Sequence, residues 1–427
     1  MTAEKTSFMS NVELSQKVME RIEALGRVSE DPDRLTRTFC SPAMRKANDL
    51  VASWMREAGM TVNEDAVGNL IGRYPGQNER AKTFMLGSHL DTVRNAGKFD
   101  GPLGVLVAIA CVQQLHEQKI RLPFALEVAA FADEEGVRFH TTYLGSRAVA
   151  GALTEQDLKR TDAGGVTMAD AIRAFGGRPD KLAEAKHDAQ QLLGYVEVHI
   201  EQGPVLERTF QPVGVVSVIA GQTRARVRFT GQPGHAGTTP MNLRRDALAA
   251  AAQFILAVET CGRDFPGLVA TVGQIEAKPN VSNVIPGEVS LSVDVRHQSD
   301  NNRTAACARL QETAQDIAGK RNVVVDWDFV QESQSVQCSR DLTRVLGKAA
   351  RQHLMQVTEL ASGAGHDAAA MGDITPVAML FVRCKGGISH HPDEFVDPED
   401  IGVAIAVMND FLLLLGNQNT QVFKKQA

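Results

Sequence analysis

The 427-residue chain lacks paired cysteines, long basic runs and long apolar runs, and each absence argues against a class of protein. Its six cysteines are scattered, with no CxxC pair and no compact framework, so we expect a reducing compartment rather than a disulfide-stabilised fold. There is no long run of Lys or Arg, and the net charge of -6 gives no general attraction to nucleic acid or to an anionic membrane. No window approaches about 18 uninterrupted apolar residues, and the N-terminus has no basic stretch followed by an apolar run. We therefore expect a cytoplasmic protein without membrane or nucleic-acid partners.

The length and the composition indicate an ordinary globular protein of two domains. The chain is longer than a single hydrophobic core usually supports. An apolar fraction of 43% and a charged fraction of 22% are typical of globular proteins and give no sign of low complexity.

Helix and strand patterns alternate in the first half of the chain. Asn11 is a candidate N-cap for a helix to about Leu25, with Val12 on its apolar stripe; Ser41 is a candidate N-cap for a second helix that Gly59 ends. The apolar runs FMLGSHL and FALEVAAFA, separated by the helical pattern VLVAIACVQQLHEQ, are typical of buried parallel strands. We predict an α/β domain with a mixed, mostly parallel sheet flanked by helices. Ligands of such sheets bind beyond the carboxyl ends of the strands.

The pattern changes between residues 213 and 330. RARVRFTG and EVSLSVDVRH alternate apolar and polar residues, as strands with one solvated face do, and NLRRDALAAAAQFILAVET predicts a helix between them. We therefore predict an inserted α+β domain over 213–330, and one α/β domain formed by 1–212 together with 331–427.

Five separate stretches carry residue types that bind metal ions. They are GSHLDTV with His89, KFDGPLG with Asp100, FADEEG with Glu134 and Glu135, VHIEQG with His199, and GISHHPDE with His390 and His391. Each stretch alone has an ordinary structural explanation. Together they supply three imidazoles, two carboxylates and a spare carboxylate, which is what a two-metal hydrolytic site needs.

The residues themselves suggest roles at this site. His89 and Asp91 are two positions apart in a predicted strand and face the same way, so Asp91 can accept the other ring N–H of a ligating imidazole. Asp100 follows a Gly-bearing loop and can bridge two cations. We assign Glu135 to a metal and Glu134 to the role of general base. His390 and the adjacent His391 cannot both point at one centre from an extended backbone, and their residue types do not decide between them.

These motifs resemble the M20 family of two-metal amidohydrolases, in particular its branch of allantoate amidohydrolases, N-carbamoyl-L-amino-acid hydrolases and β-ureidopropionases. The peptidases of the family have an acidic ligand where VHIEQGP has His199, and the pattern G-[IL]-S-H-x-P selects His390. The resemblance implies that Asp100 bridges two divalent ions, Zn or Mn, with Co or Ni also accepted. It gives His89 and His199 to one ion, Glu135 and His390 to the other, and keeps Glu134 as the base.

The resemblance also implies a zinc-peptidase-like catalytic domain and an inserted domain that acts as a lid and as the contact of a homodimer. Hinges are expected near residues 212 and 330. Further candidates are an oxyanion-stabilising His235 in GQPGHAGTTPM, the substrate-binding Gln202, Asn283 in VSNVIPG and Arg296 in DVRH, and a supporting His366 in SGAGHDAAA.

The expected reaction is hydrolysis of the ureido C–N bond of a small ureido acid, with release of ammonia and carbon dioxide. Two alternatives are an M20 aminopeptidase or aminoacylase acting on amide bonds, and a non-catalytic metal-binding member of the fold. Arg147, where some allantoate enzymes have a smaller residue, favours N-carbamoyl amino acids over allantoate. The sequence does not name the ureido acid or the metal.

Overall fold

The computed structural model describes residues 9–417, which form two compact units. Unit 1 comprises residues 9–217, 338–360 and 366–417, and unit 2 comprises 218–337 and 361–365. The unit limits thus lie a few residues beyond the boundaries predicted at 212 and 330. One reason is that residues 213–216 pair with a strand of unit 1.

Residues 9–417 contain twelve α-helices, none of which is both long and apolar enough to cross a membrane. They are α1 (Asn11–Gly26), α2 (Pro42–Glu57), α3 (Pro102–Glu117), α4 (Leu144–Ala150), α5 (Glu155–Leu158), α6 (Met168–Phe175), α7 (Val205–Arg208), α8 (Ala247–Asp264), α9 (Asp300–Arg321), α10 (Arg340–Ala350), α11 (Asp367–Met371) and α12 (Pro398–Gly416).

The same residues contain fifteen strands, three of them only two residues long. They are β1 (Thr61–Glu64), β2 (Leu70–Tyr74), β3 (Thr83–His89), β4 (Ala125–Phe131), β5 (Leu192–Ile200), β6 (Val213–Ile219), β7 (Gly221–Thr230), β8 (Gly234–His235), β9 (Val269–Lys278), β10 (Val284–Ile285), β11 (Glu288–His297), β12 (Val324–Ser333), β13 (Val336–Gln337), β14 (Thr358–Ser362) and β15 (Val377–Val382).

Unit 1 is built on a mixed sheet with the strand order β1-β2-β4-β3-β5-β15-β6. The four central strands, β4, β3, β5 and β15, run parallel, whereas β1, β2 and β6 are joined by antiparallel pairing. Both β3 and β4 are buried along their whole length, as their apolar runs predicted. The predicted α/β class is therefore confirmed, and the carboxyl ends of the four parallel strands share one edge of the sheet.

Helix starts show where local sequence rules were right and where they were not. Ser41 is the N-cap of α2, as predicted, and its hydroxyl accepts the N–H of Met44. The predicted cap Asn11 is wrong, because Ser10 caps α1 in a capping box with Glu13. Val12 consequently lies on the solvent side and is 76% exposed.

Unit 2 contains an antiparallel sheet with the strand order β12-β7-β11-β9 and two helices, α8 and α9. Along β7 and β11 buried residues alternate with more exposed ones, as predicted for a half-solvated sheet. The buried side chains, such as Phe229 and Leu291, form a core with Phe254 of α8 and Leu310 of α9. The opposite face of this sheet lines an open cleft of about 1460 Å³.

Candidate functional site

The predicted ligands of unit 1 lie at or just beyond the carboxyl ends of the four parallel strands. His89 is the last residue of β3, and His199 is the last but one of β5. Glu135 follows β4, and His390 lies in the loop after β15. Because these ends meet at one edge of the sheet, four distant stretches of sequence are brought together there.

Asp100 is the centre of this cluster. Its Oδ1 lies 3.6 Å from Nε2 of His89 and 3.1 Å from Nε2 of His199, while its Oδ2 lies 3.0 Å from Nε2 of His390. Burial alone would raise the pKa of Asp100, but its hydrogen bonds with the three imidazoles hold it well below its usual range. The two oxygens of one carboxylate thus face different histidines.

His89 is held from two sides. Its Nδ1 is 3.2 Å from Oδ1 of Asp91 and 3.1 Å from the backbone oxygen of Asp91. On the other side lies Gly101, which has φ +82° and no side chain; a Cβ there would come within 2.5 Å of the imidazole. Asp91 also accepts the N–H groups of Glu134 and Glu135, at 3.0 and 3.1 Å. One carboxylate therefore fixes both an imidazole and the acidic turn.

His390 is the histidine that faces the cluster. Its Nε2 is 3.3 Å from Oε1 of Glu135, whereas the exposed ring of His391 lies beside Asp393. The backbone of His390 has φ +56°, in the left-handed region that side chains other than glycine rarely adopt. His390 and His391 therefore point in different directions, as predicted, although the backbone at His390 is left-handed and not extended.

Glu134 is buried beside this cluster, and one of its oxygens lies within 4.8 Å of ligand atoms of His89 and Glu135. Burial raises the pKa of Glu134 well above its usual range, and the negative charge of Glu135 adds to this effect. A carboxyl group with a raised pKa beside a cluster of ligands is suited to accept and release a proton.

The donor set fits two divalent cations. The ligand atoms of His89, Asp100 and His199 lie within 4.8 Å of one another, and so do those of Asp100, Glu135 and His390. Nitrogen and oxygen ligands about 2.1 Å from a tetrahedral ion are roughly 3.4 Å apart, close to the 3.0–3.6 Å separations around Asp100. The two groups share Asp100, so this carboxylate can serve both ions.

A further group of possible ligands, Glu197, His199 and His366, does not form an independent site. Nδ1 of His199 is bonded to the backbone oxygen of Ile200, and its Nε2 already faces Asp100. Glu197 accepts hydrogen bonds from the hydroxyl of Ser88 and the N–H of Ala368 instead. We assign no metal ion to this group.

Gln202 and His366 also lie next to the cluster. Nε2 of Gln202 donates to Oδ2 of Asp100 at 2.9 Å, from a backbone with φ +57°. The ring of His366 packs edge-on against that of His199, with 4.5 Å between centroids. Burial, together with the nearby His199, holds the pKa of His366 well below its usual range, so this ring is neutral.

The predicted residues of unit 2 have partners of their own in that unit. Nδ1 of the exposed His235 accepts the N–H of Gly237. The exposed Asn283 accepts the N–H of Ala236 with its backbone oxygen. Nε and Nη2 of Arg296 each donate to the carboxylate of Asp294 at 2.9 Å. His235 and Asn283 lie in or beside the short β8–β10 pair, whereas Arg296 lies in β11.

The sequence and the fold are similar to those of known proteins. A model of peptidase family M20/M25/M40 matches residues 85–414. The chain belongs to this family. It is 42% identical to allantoate deiminase 1 from Glycine max, over 93% of this chain and 89% of that protein. It is also 42% identical to an N-carbamoyl-L-amino acid amidohydrolase from Geobacillus stearothermophilus, over 92% and 96%.

Among solved structures, an amidase of the hydantoinase/carbamoylase family from Burkholderia multivorans superposes with a TM-score of 0.88 at 32% identity. The match covers 95% of this chain and 98% of that one. The predicted family and fold are therefore confirmed over nearly the whole chain.

Arg147 has hydrogen-bond partners within unit 1. Its guanidinium donates to Asp157 at 2.8 Å, to the backbone oxygen of Ala152 at 3.2 Å and to the hydroxyl of Thr141 at 3.3 Å. These bonds join α4 to the segment before it, to the loop after it and to α5. They give the arginine a structural role, and its proposed preference for N-carbamoyl amino acids stays a prediction.

Two contacts of the cluster were not predicted. The hydroxyl of Ser389 lies 2.9 Å from Oδ2 of Asp100, and the carboxylate of Glu394 accepts the backbone N–H of Asp100 at 3.0 Å. Both residues belong to the stretch GISHHPDE that supplied His390. The stretch was recognised for its histidines, but no local pattern links Glu394 to a partner almost 300 positions away in the sequence.

Proposed function

We propose that this protein is a metal-dependent amidohydrolase that cleaves the ureido C–N bond of a ureido acid, such as an N-carbamoyl-L-amino acid or allantoate. The observation that carries the proposal is a pair of ligand groups sharing Asp100 beside the buried Glu134. The relatives with 42% identity, an allantoate deiminase and an N-carbamoyl-L-amino acid amidohydrolase, support the ureido bond as the target.

In this proposal one metal ion is held by His89 and His199 and the other by Glu135 and His390, with Asp100 shared. Zn or Mn is expected, since imidazole and carboxylate ligands suit both and availability often decides. When bound, the ions make a water molecule acidic enough to lose a proton near neutral pH and polarise the ureido carbonyl.

Glu134 acts as the general base. Its buried carboxylate accepts the proton of the attacking water and passes it to the departing nitrogen, so that ammonia leaves. Burial, together with the negative charge of Glu135, raises the pKa of this carboxyl. Loss of carbon dioxide from the remaining carbamate then yields the amine.

Unit 2 provides the selection of ureido acids in this proposal. Arg296 and Asn283 bind the substrate carboxylate, and His235 stabilises the charge that develops on the carbonyl oxygen. Arg296 is at present paired with Asp294, so a substrate carboxylate has to compete for the same guanidinium. Gln202, beside Asp100, contacts the ureido group.

The test is an assay of ammonia release from allantoate, from 3-ureidopropionate and from several N-carbamoyl-L-amino acids, each with Zn, with Mn and without metal. We expect metal-dependent release from at least one of them. Hydrolysis of a panel of dipeptides or N-acyl amino acids, with no ammonia from any ureido acid, would establish the peptidase alternative. Metal binding without turnover of either class would establish a non-catalytic protein.

We also propose a homodimer that forms through unit 2. Its strand β9 is an edge of the antiparallel sheet and carries the exposed apolar residues Val269 and Ile275. Unpaired backbone groups on such an edge favour pairing with another strand. Light scattering of the purified protein should give twice the chain mass of 46.2 kDa, and a charged residue at Ile275 should lower that value.

A further inference from the structure

We propose that Glu394 is a positioning residue that holds the loop of Asp100 in the shape needed to serve two metal ions. This inference rests on the proposed function, since it assumes that Asp100 is the shared ligand. Glu394 lies four residues after His390 and is 4% exposed, although its neighbours His391 and Asp393 are exposed. Its carboxylate therefore points inward from a solvated turn.

The contacts of Glu394 with the loop are made by one oxygen. Its Oε1 accepts the backbone N–H of Phe99 at 2.7 Å and that of Asp100 at 3.0 Å. Two successive N–H groups bound by one oxygen fix the orientation of the peptide units on either side of Phe99. The second of these N–H groups belongs to Asp100 itself, so fixing the backbone there also sets the direction of the Asp100 side chain.

The other oxygen reaches the carboxylate of Asp100 through a hydroxyl. Oε2 of Glu394 lies 3.1 Å from Oγ of Ser389, and the same Oγ lies 2.9 Å from Oδ2 of Asp100. Ser389 directly precedes His390, whose Nε2 faces that same Oδ2 at 3.0 Å. Glu394 thus contacts the shared ligand at its backbone directly and at its side chain through Ser389.

The loop is shaped to receive this side chain. A Cβ at Gly97 would come within 2.3 Å of both Cβ and Cδ of Glu394 and within 2.4 Å of its Oε1. Such distances are far below van der Waals contact, so a side chain at position 97 would displace Glu394. Glu394 can therefore be buried against this loop only because residue 97 has no side chain.

The experiment titrates the metal-free, full-length protein with Mn²⁺ by calorimetry, follows free Mn²⁺ by electron paramagnetic resonance, and measures ammonia release. For Glu394→Ala we expect Mn²⁺ affinity at one or both sites to fall by roughly 10- to 100-fold. Glu394→Gln keeps a carbonyl oxygen for both N–H groups and an amide to donate to Ser389, so it should bind Mn²⁺ within about tenfold of wild type. Gly97→Ala should resemble Glu394→Ala.

Two variants serve as controls. Asp393→Ala removes a carboxylate from the same turn as Glu394. The side chain of Asp393 is 77% exposed, so its removal should leave Mn²⁺ affinity unchanged. Glu127→Ala removes a buried carboxylate of β4 that pairs with Arg73 and His187, and should lower stability without lowering Mn²⁺ affinity. If Glu394→Ala does not fold, Ser389→Ala takes its place, with a smaller expected loss of affinity.

Wild-type affinity in Glu394→Ala, or in Ser389→Ala where that replaces it, would overturn the inference. An equal loss in Glu394→Ala and Glu127→Ala would also overturn it, since it would indicate general destabilisation. These outcomes differ from a failure of the proposed function, in which the wild-type protein itself would bind no Mn²⁺ or release no ammonia.

Discussion

The two units differ in how far their candidate residues are prepared for a ligand. In unit 1 the ligand atoms of each group that would bind a metal ion lie within 4.8 Å of one another, both groups include Asp100, and most of these residues are buried. In unit 2 the side chain of Arg296 is occupied by its neighbour Asp294, and His235 is exposed. Parallel strand ends bring side chains together during folding, whereas a solvated antiparallel sheet leaves them to form local pairs. The proposed chemistry is thus preorganised in unit 1, whereas the recognition proposed for unit 2 requires Arg296 to exchange Asp294 for the substrate carboxylate.

Removal of metal should have the largest effect on activity, and it tests the preorganised site of unit 1. Dialysis against a chelator should abolish ammonia release, and Zn or Mn should restore it. At metal concentrations of 100 times Kd, binding should stabilise the fold by about 2.7 kcal/mol for each ion bound. Calorimetric unfolding would show whether the gain is confined to the transition that involves unit 1. Full turnover by protein shown to be free of metal would refute a metal-dependent site.

Glu134→Gln should have the second largest effect on activity. The amide keeps the size of the side chain but cannot accept a proton, so kcat should fall by roughly 10²- to 10⁴-fold. Since Glu134 is not among the assigned ligands, calorimetry should find wild-type metal affinity. A variant with normal kcat would show that another group is the base, while one that loses its metal would make Glu134 a ligand.

Arg296→Lys tests the recognition attributed to unit 2. Lysine keeps the charge but loses the planar fork, so KM for the preferred ureido acid should rise by roughly tenfold or more. KM for the corresponding neutral ureido amide should change little, because that compound has no carboxylate to bind. Equal increases for both compounds would indicate a structural role for the Arg296–Asp294 pair instead.

His391→Ala should have the smallest effect. The ring of His391 is exposed and faces Asp393, so its loss should change stability by no more than about 0.5 kcal/mol and leave kcat and metal affinity unaltered. His390→Ala is the matched comparison, and it should lose metal affinity. Similar losses in the two variants would mean that the imidazoles exchange places when metal is bound.

Much of the fold could be predicted because its signals are local. The apolar runs of β3 and β4, the alternation along β7 and β11, and the cap at Ser41 each depend on a few adjacent residues. The cap of α1 was also a local signal that the prediction of Asn11 missed. Ser10 followed three residues later by Glu13 is the pattern of a capping box, whereas Asn11 has no Glu or Gln at the matching position.

The site was predictable only in part, because the contacts that support its ligands are not local in sequence. The identity of the candidate ligands followed from motifs, but their support did not. The bond between Glu394 and the N–H of Asp100 joins residues 294 positions apart, and no local pattern indicates it. By contrast, Asp294 and Arg296 are two positions apart in β11 and share a face of the sheet, so their pairing could have been predicted from strand geometry alone.

Gly101 has a consequence for how related sequences are compared. Its φ of +82° and the 2.5 Å that would separate a Cβ from the ring of His89 leave room only for hydrogen. A substitution of this glycine would keep every proposed ligand and Glu134 in the sequence, yet displace the imidazole of His89. A related protein could therefore lose its metal site while its set of ligand residues remained complete, so a comparison of such sequences should include the residue after the aspartate that corresponds to Asp100.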